Sequence, residues 1–261
     1  MRAEQQEQLN LILQEMPDWQ RTMDLPGNKE ITVFIDLKSP HAYLAVRPSI
    51  ELAKDFSVHV NFLPYTLSYT DIGVSSSVEA DMQRRPPDAA ADRKARMYYA
   101  AARQYAALQN LPLRSPIRLL DSTLAHKVFL FAKQQRQEVP FMMLVYLTGW
   151  GSGWRDYELE SLDQLRNTLA ETGVDTQGLD AFVAPGGPGE AQLLACNQQA
   201  EASGCVGVPH YVMHDAQQSR ELGLFGREHL ALLRSKLADE GLARRADVKP
   251  EFSHAWRGPQ A

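Results

Sequence analysis

One stretch near the start of the chain constrains the fold more than any other. Residues 31–36, ITVFID, are short, β-branched and aromatic, which predicts a buried strand. Ser39 and Pro40 then supply the N-cap and first-turn signals of a helix, which we expect to run towards Phe56. The alternating VHVNFL, residues 58–63, predicts a second strand. A helical crossover between the two strands predicts that they are parallel.

A long helical block separates this unit from the next strand signal. Helices are predicted at 93–109, 122–136, 140–149 and 161–171. A strand follows in GVPHYVM, residues 207–213, and then a turn and a last helix at 226–239. Neither β segment can complete a sheet alone, so the pattern predicts a thioredoxin-like α/β domain that a large all-helical insertion interrupts.

The predicted organisation has four parts. They are a helical extension at 1–29, a discontinuous thioredoxin-like domain at 30–65 and 190–240, a helical insertion domain at 66–189 and a mobile tail at 241–261. Within them, an amphipathic helix at 4–16 is expected to end at Pro17. GWGSGW (149–154) is predicted to be a flexible loop, and APGGPGEA (184–191) a turn-rich connector.

Composition excludes several classes of protein. The 261 residues carry a net charge of −5, which gives no basic field for nucleic acid or anionic lipid. No apolar run reaches the ~20 residues of a membrane span, and the N-terminus has no basic region typical of a signal peptide. The two cysteines form no CxxC motif. We therefore predict a soluble cytoplasmic protein.

Ser39 begins a helix, where unpaired backbone N–H groups and the dipole favour a thiolate or another anion. Lys38 adds a nearby positive charge. In thiol–disulfide oxidoreductases of this architecture the first cysteine of a CxxC occupies this position, but the four residues here are Ser-Pro-His-Ala. The sequence excludes dithiol redox chemistry at this site. On periodicity alone, the simpler interpretation is that Ser39 is only a helix cap.

A second motif opens the late strand. A proline inside a strand removes a ladder hydrogen bond, and a cis bond between Val208 and Pro209 is one solution, which frees the Val208 backbone for a ligand. With FIDLKSPHAYLA, ASGCVGVPHYVMHDAQQSRELGLFGREHLALL and RKARMYYAAARQYAALQNLPL, the chain over 30–238 resembles the 2-hydroxychromene-2-carboxylate isomerases and the kappa-class glutathione transferases. Both belong to the DsbA-like branch of the thioredoxin fold.

The resemblance implies glutathione as cofactor and assigns roles to five residues that match its motifs. The Ser39 hydroxyl would contact the sulfur, and the Val208 backbone before a cis Pro209 would pair with the cysteinyl part. Glu228 stands where the family has an aspartate at the γ-glutamyl end, and Asn197 where the family has an amide or hydroxyl near glutathione.

Three further features concern the γ-glutamyl end of glutathione and the substrate. Arg227 replaces a small residue of the family next to Glu228. The family commonly has a lysine directly after the second strand, whereas in this chain the first lysine after that strand is Lys94. The resemblance places Lys94 and a tyrosine of the following helix, Tyr98 or Tyr99, near the substrate.

The function implied is a glutathione-dependent isomerase, which adds a thiol reversibly to an unsaturated aromatic substrate and acts as a homodimer. One alternative is a kappa-class-like transferase, in which the thiolate stays attached to an electrophile. Another is a non-redox DsbA-like binding protein without turnover. A metal enzyme using His210 and His214 lacks a third ligand nearby in sequence, so no metal is predicted. Cys205 is expected to be a small buried hydrophobe.

Overall fold

Four strands form one mixed sheet in the order β2-β1-β3-β4 in this computed structural model, which describes residues 14–69 and 89–251. The strands are β1 (Lys29–Ile35), β2 (Val58–Pro64), β3 (His210–Asp215) and β4 (Arg220–Phe225). β1 pairs parallel with β2 and antiparallel with β3, and β3 pairs antiparallel with β4. The predicted parallel pair and the late strand are confirmed.

β1 lies inside the sheet because its side chains are apolar on both faces. Ile31, Val33, Phe34 and Ile35 have no exposed surface. Successive side chains of a strand point to opposite faces, so both faces of the sheet are covered at β1. At the edge, β4 carries only exposed and half-buried side chains.

Most of the rest of the described chain is helical. The helices are α1 (14–23), α2 (Pro40–Tyr43), α3 (Val46–Asp55), α4 (Ala89–Leu108), α5 (Thr123–Gln134), α6 (Glu138–Ser152), α7 (Leu162–Glu171), α8 (Leu179–Val183), α9 (Pro188–Ala202) and α10 (Leu230–Asp239). α5 packs against α6, α7, α8 and α9 and also against β2. The helical block is therefore fixed to the sheet through α5, whereas the four predicted domain boundaries stay a prediction.

The prediction that the first helix ends at Pro17 is wrong. Residues 14–23 are helical, and the part of the predicted helix before residue 14 lies outside the described residues. Trp19 and Met23, one turn apart, are buried in the core, and the Trp19 ring lies 5.3 Å from the guanidinium carbon of Arg47. Burial of this face stabilises the helix beyond the proline.

The helix that starts after Ser39 is broken, not continuous as predicted. α2 ends at Tyr43 and α3 begins at Val46. Pro48 has no N–H to donate to the carbonyl of Leu44, four residues earlier. The side-chain amide of Gln109 donates to that carbonyl instead, at 2.9 Å. The proline in the following turn thus explains the interruption.

Three elements were not predicted, and the short helix α8 is one of them. β4 occupies part of the segment read as a turn after β3, and α9 begins at Pro188 inside the predicted connector. Apolar residues of α9 do not form a single stripe, since Leu194 is exposed while Leu193 and Cys196 are buried. Neither segment has the periodicity that indicates its structure.

The prediction of a flexible loop at 149–154 is also wrong. Residues 149–152 complete α6, and Gly153 follows in the left-handed region with a φ of 66°, as a helix C-cap requires. Trp150 and Trp154 are buried and their rings meet edge to face, with centroids 5.3 Å apart. The two tryptophans are part of the core.

Part of the predicted tail is attached to the domain. Ala243 forms an antiparallel bridge with Phe56, and the Leu242 carbonyl accepts the Ser57 N–H at 2.7 Å. The Arg244 N–H donates to the carbonyl of Asp55 at 2.8 Å. These backbone hydrogen bonds hold the segment beside the end of α3; residues 252–261 lie outside the described part of the chain.

Candidate active site

Ser39 caps α2 as the sequence predicts. Its Oγ accepts the N–H of Ala42 at 3.3 Å, and Pro40 occupies the first turn. The hydroxyl proton of Ser39 is left free to donate by this geometry. Ser39 is buried, with 7% of its surface exposed, and α2 is one turn long, so anion stabilisation here depends on nearby N–H groups more than on a helix dipole.

A buried polar network fixes the loop before Ser39. The Asp36 carboxylate, fully buried, accepts the N–H groups of Lys38 at 3.0 Å and Leu67 at 2.8 Å. The Lys38 ammonium lies 3.4 Å from Asp36 and donates to the Leu67 carbonyl. Burial raises the pKa of Asp36, but the charge of Lys38 and the other neighbouring groups of the network together outweigh it and hold that pKa well below its usual range.

His126 completes this network from α5. Its Nε2 accepts the N–H of Leu37 at 3.1 Å and its Nδ1 pairs with the hydroxyl of Thr66 at 2.8 Å. The same Nε2 lies 3.3 Å from Asp36, but a nitrogen that accepts the Leu37 N–H carries no proton. Lys38 is therefore the cation that balances Asp36. Sequence analysis missed Asp36 and His126; an acidic residue at the end of a buried strand was the available signal.

A cleft of about 570 Å³ opens beside α2. The start of α2, one side of α4 and two late segments, 208–209 and 225–228, form its wall. The lining residues are His41, Met97, Tyr98, Ala101, Tyr105, Val208, Pro209, Phe225, Gly226, Arg227 and Glu228. The volume is within the ~300–1,000 Å³ of small-molecule sites.

The Val208–Pro209 peptide bond is cis, as predicted. Within the described chain, the N–H and carbonyl of Val208 make no backbone hydrogen bond, because β3 begins only at His210. The Pro209 carbonyl accepts the N–H of Gly226 at 2.9 Å, which joins the two late segments. Val208 therefore presents a free peptide group at the cleft.

Gly226 gives this wall its shape. Its φ is 106°, a conformation that favours glycine, and a Cβ at this position would overlap the Glu228 carboxylate. Glu228 folds back over Gly226 and is exposed at the cleft, whereas the neighbouring Arg227 is buried. Adjacent residues of opposite charge thus line one end of the cleft.

The cleft brings together four of the residues predicted for the site: Tyr98, Val208, Pro209 and Glu228. Tyr98 is half exposed and meets His41 edge-on, with ring centroids 4.6 Å apart. Tyr99 packs against Trp150 instead, so Tyr98 is the tyrosine that faces the cleft. Their roles towards a ligand stay predictions.

Three other predicted residues do not line the cleft. Ser39 is buried beside it, immediately before α2. Asn197, on α9, accepts the N–H of Thr66 through Oδ1 at 3.0 Å and so supports the segment after β2. Lys94 is exposed on α4, one turn before Tyr98. The geometry does not favour direct ligand roles for Asn197 or Lys94.

Two cleft residues were not assigned by sequence reasoning. His41 stands inside the quoted Ser-Pro-His-Ala stretch, and Arg227 was noted only as a replacement for a small residue. They are far apart in sequence, and the pairing of β1 with β3 brings them together. Arg227 was visible in the sequence as a departure from the family, but its meeting with His41 depends on tertiary structure.

The environment of His41 makes stability depend on pH. Burial, and then the positive charge of Arg227, lowers the pKa of His41 from 6.5 to about 4. Between these values the unfolded chain binds the proton and the folded protein does not, so the free energy of unfolding falls as the pH decreases. We expect His41→Gln to lose this part of the pH dependence in urea unfolding at about pH 7 and about pH 5. The exposed His59→Gln is the control, and equal pH dependence in wild type and His41→Gln would contradict the assignment.

Neither cysteine is suited to act as a nucleophile. Both are free and buried. The Cys205 thiol donates to the Gly207 carbonyl at 3.3 Å, and burial raises its pKa to about 11, so it is protonated at neutral pH. Among the described residues, no group of three or more His, Cys, Asp or Glu side chains could hold a metal ion.

Comparison with known proteins identifies the family. The DSBA-like thioredoxin domain matches residues 30–238. The chain belongs to the DsbA-like thioredoxin family. This confirms the predicted fold class and the DsbA-like part of the resemblance, whereas the relation to kappa-class transferases stays a prediction. No curated protein matches the sequence significantly.

Solved structures share the DsbA-like fold at low identity. A 2-hydroxychromene-2-carboxylate isomerase is similar with a TM-score of 0.63 and 17% identity, over 81% of this chain and 96% of that one. A probable DsbA oxidoreductase from Streptomyces coelicolor gives 0.61 and 16%, over 85% and 93%. The cytosolic disulfide reductase DsbM from Pseudomonas aeruginosa, solved with GSH, gives 0.55 and 15%, over 81% and 97%.

The fold thus occurs in an isomerase, a probable oxidoreductase and a disulfide reductase. The helices of the described residues include none with the length and apolar character needed to cross a membrane.

Proposed function

We propose that this DsbA-like protein is a glutathione-dependent isomerase of a small unsaturated aromatic substrate. The observation that carries the proposal is that one cleft joins the start of α2 to the free peptide group of Val208 and the carboxylate of Glu228. A peptide-like ligand with an ammonium group could pair its backbone with the Val208 peptide group and its ammonium with the Glu228 carboxylate. An isomerase named for 2-hydroxychromene-2-carboxylate has the same fold.

The residues present fit glutathione. The N–H and carbonyl of Val208 would pair with the cysteinyl peptide, as a strand edge pairs with an extended ligand. The exposed Glu228 carboxylate would accept from the γ-glutamyl ammonium. Ser39 is buried beside the cleft and does not line it. Its Oγ is the acceptor in the cap, so it keeps a hydroxyl proton that it would donate to a sulfur reaching the start of α2. A disulfide reductase with this fold has been solved with GSH.

Glutathione, when bound, supplies the thiolate that the Ser-Pro-His-Ala stretch lacks. Ser39 and the N–H groups at the start of α2 would stabilise the sulfur anion and raise its fraction at neutral pH. Tyr98, Met97 and Phe225 give the cleft an apolar wall that would hold a flat substrate and exclude water. The chain itself would therefore position both molecules and stabilise charge.

Isothermal titration with reduced glutathione tests the proposal. We expect saturable binding to the wild type and binding weaker by about tenfold or more in Ser39→Ala, because a hydrogen bond to a charged group contributes ~1.5–3 kcal/mol. Turnover of 2-hydroxychromene-2-carboxylate with glutathione present is then followed by absorbance. Mass spectrometry separates an isomerase, which releases glutathione, from a transferase, which leaves it attached.

Ser161→Ala is the matched control. Ser161 caps α7 in the way that Ser39 caps α2, by accepting the N–H of Gln164 at 3.4 Å, and it does not line the cleft. Loss of this cap is expected to leave glutathione binding unchanged. Absence of glutathione binding to the wild type would overturn the proposal and favour a DsbA-like binding protein for another ligand.

A further inference from the structure

The Arg227 guanidinium is a buried cation with an unsatisfied nitrogen. Only 4% of Arg227 is exposed, and its Nη1 finds no hydrogen-bond partner among the described residues. Its guanidinium carbon lies 3.8 Å from the centroid of the Tyr105 ring, which supports the positive charge. In the described chain no carboxylate forms an ion pair with Arg227, and the nearby Glu228 is turned towards Gly226.

A second unsatisfied atom lies on the same cleft. His41 Nε2 is buried and has no partner in the described part of the chain. The low pKa of His41 keeps its ring neutral at neutral pH, and a neutral imidazole protonated on Nε2 donates one hydrogen bond. Arg227 and His41 both line the cleft. With the proton of His41 on Nε2, two donors, one of them charged, lack an acceptor.

The chemistry of the wall restricts what could supply that acceptor. Tyr98, Tyr105 and Phe225 are aromatic, and Met97 and Val208 are apolar. A planar guanidinium matches a carboxylate in shape and charge, with two parallel hydrogen bonds. A carboxylate attached to a flat or peptide-like body would satisfy the donors and cover the aromatic side chains.

We propose that Arg227 and His41 receive a carboxylate of the ligand, and that Arg227 makes the cleft selective for carboxylates over neutral analogues. This rests on the proposed function, in which the carboxylate belongs either to glutathione or to an aromatic acid substrate. The Arg227 side chain binds the anion and His41 donates a further hydrogen bond. Nη1 of Arg227 and Nε2 of His41 have no hydrogen-bond partner among the described residues.

Titration with three probes tests this proposal: 2-naphthoate, the neutral 2-naphthamide and reduced glutathione. If the carboxylate comes from an aromatic acid, the wild type binds naphthoate at least about tenfold more tightly than naphthamide, and Arg227→Met removes the difference. If the carboxylate comes from glutathione, Arg227→Met weakens glutathione binding by about tenfold, and the wild type binds naphthoate and naphthamide with equal affinity. The comparison of naphthoate with naphthamide uses the wild type alone, so its result does not depend on whether a variant folds.

The control is Arg234→Met. Arg234 is buried to a similar extent, with 7% exposed, but pairs with Asp55 and does not line the cleft. We expect its probe affinities to equal those of the wild type. Arg227→Met should also unfold at a higher temperature than the wild type without ligand, because it removes an unpaired buried charge.

The outcomes separate the two proposals. Naphthoate selectivity without glutathione binding would support the carboxylate site and overturn the glutathione-dependent function. Glutathione binding that Arg227→Met leaves unchanged, with no naphthoate selectivity, would overturn the carboxylate site alone. Failure of the wild type to bind any probe would overturn both.

Discussion

Asp36→Ala is expected to lower the free energy of unfolding by ~3–5 kcal/mol, the cost of removing one partner from a buried ion pair. The change leaves the ammonium of Lys38, whose side chain is 7% exposed, without its counter-ion, and the N–H of Leu67 without its acceptor. Urea unfolding at neutral pH measures the loss. Because the folded-state pKa of Asp36 is depressed, the wild type keeps this stability above the ordinary pKa of 3.8 and loses it progressively at lower pH.

Two further variants test the cause. Asp36→Ala combined with Lys38→Met removes both charges, and we expect it to recover most of the loss, since an apolar replacement of a buried pair is often neutral. Asp18→Ala breaks the exposed pair with Arg21 and should change stability by less than about 1 kcal/mol. Equal losses in Asp36→Ala and the double variant would contradict the role of Lys38.

Gly149→Ala is expected to destabilise the protein by ~2–3 kcal/mol, at the upper end of the cost of overpacking a core. A Cβ at Gly149 would overlap the six-membered ring of Trp154, which packs between Trp150 and Tyr157. Trp154 is 2% exposed and has no free space to move into without displacing these rings. Thermal unfolding followed by near-UV circular dichroism would report the loss and any disturbance of the tryptophans.

Gly151→Ala is a matched control in the same helix. Among the described residues, the atoms nearest to a Cβ at Gly151 belong to Pro112, at 3.8 Å, which is an ordinary contact. Alanine is the better helix former, so we expect Gly151→Ala to stabilise by up to ~1 kcal/mol. If both variants changed stability in the same direction, the packing of Trp154 on Gly149 would not be the cause.

The β1–α2–β2 unit could be predicted because its signals are local. A β-branched run, a Ser-Pro helix start and an alternating strand lie close together. β4 gives no such signal, since RELGLF has polar residues at its start and, within the described residues, pairs with β3 alone. Its strand conformation is determined by that pairing, which the sequence pattern alone does not indicate.

The candidate site was predictable in part for the same reason. Ser39 as a cap and Val208 before a cis Pro209 each depend on neighbouring residues. The meeting of His41 with Arg227 depends on the sheet, and the Asp36 network needs His126 from the helical block. The glycine content of residues 149–154 was misleading at Trp150 and Trp154, because a glycine-rich stretch can end a buried helix as well as form a loop.

The strand order also has a consequence for synthesis on the ribosome. β1 and β2 can pair early, but the other edge of β1 is closed by β3, which begins at His210. At ~5–20 residues per second, the chain between Pro64 and His210 takes about 7 to 30 seconds to emerge. During that interval the nascent protein exposes an unpaired strand edge whose residues 31–35 are apolar apart from Thr32. Chaperone demand should therefore fall sharply once the last quarter of the chain has left the exit tunnel.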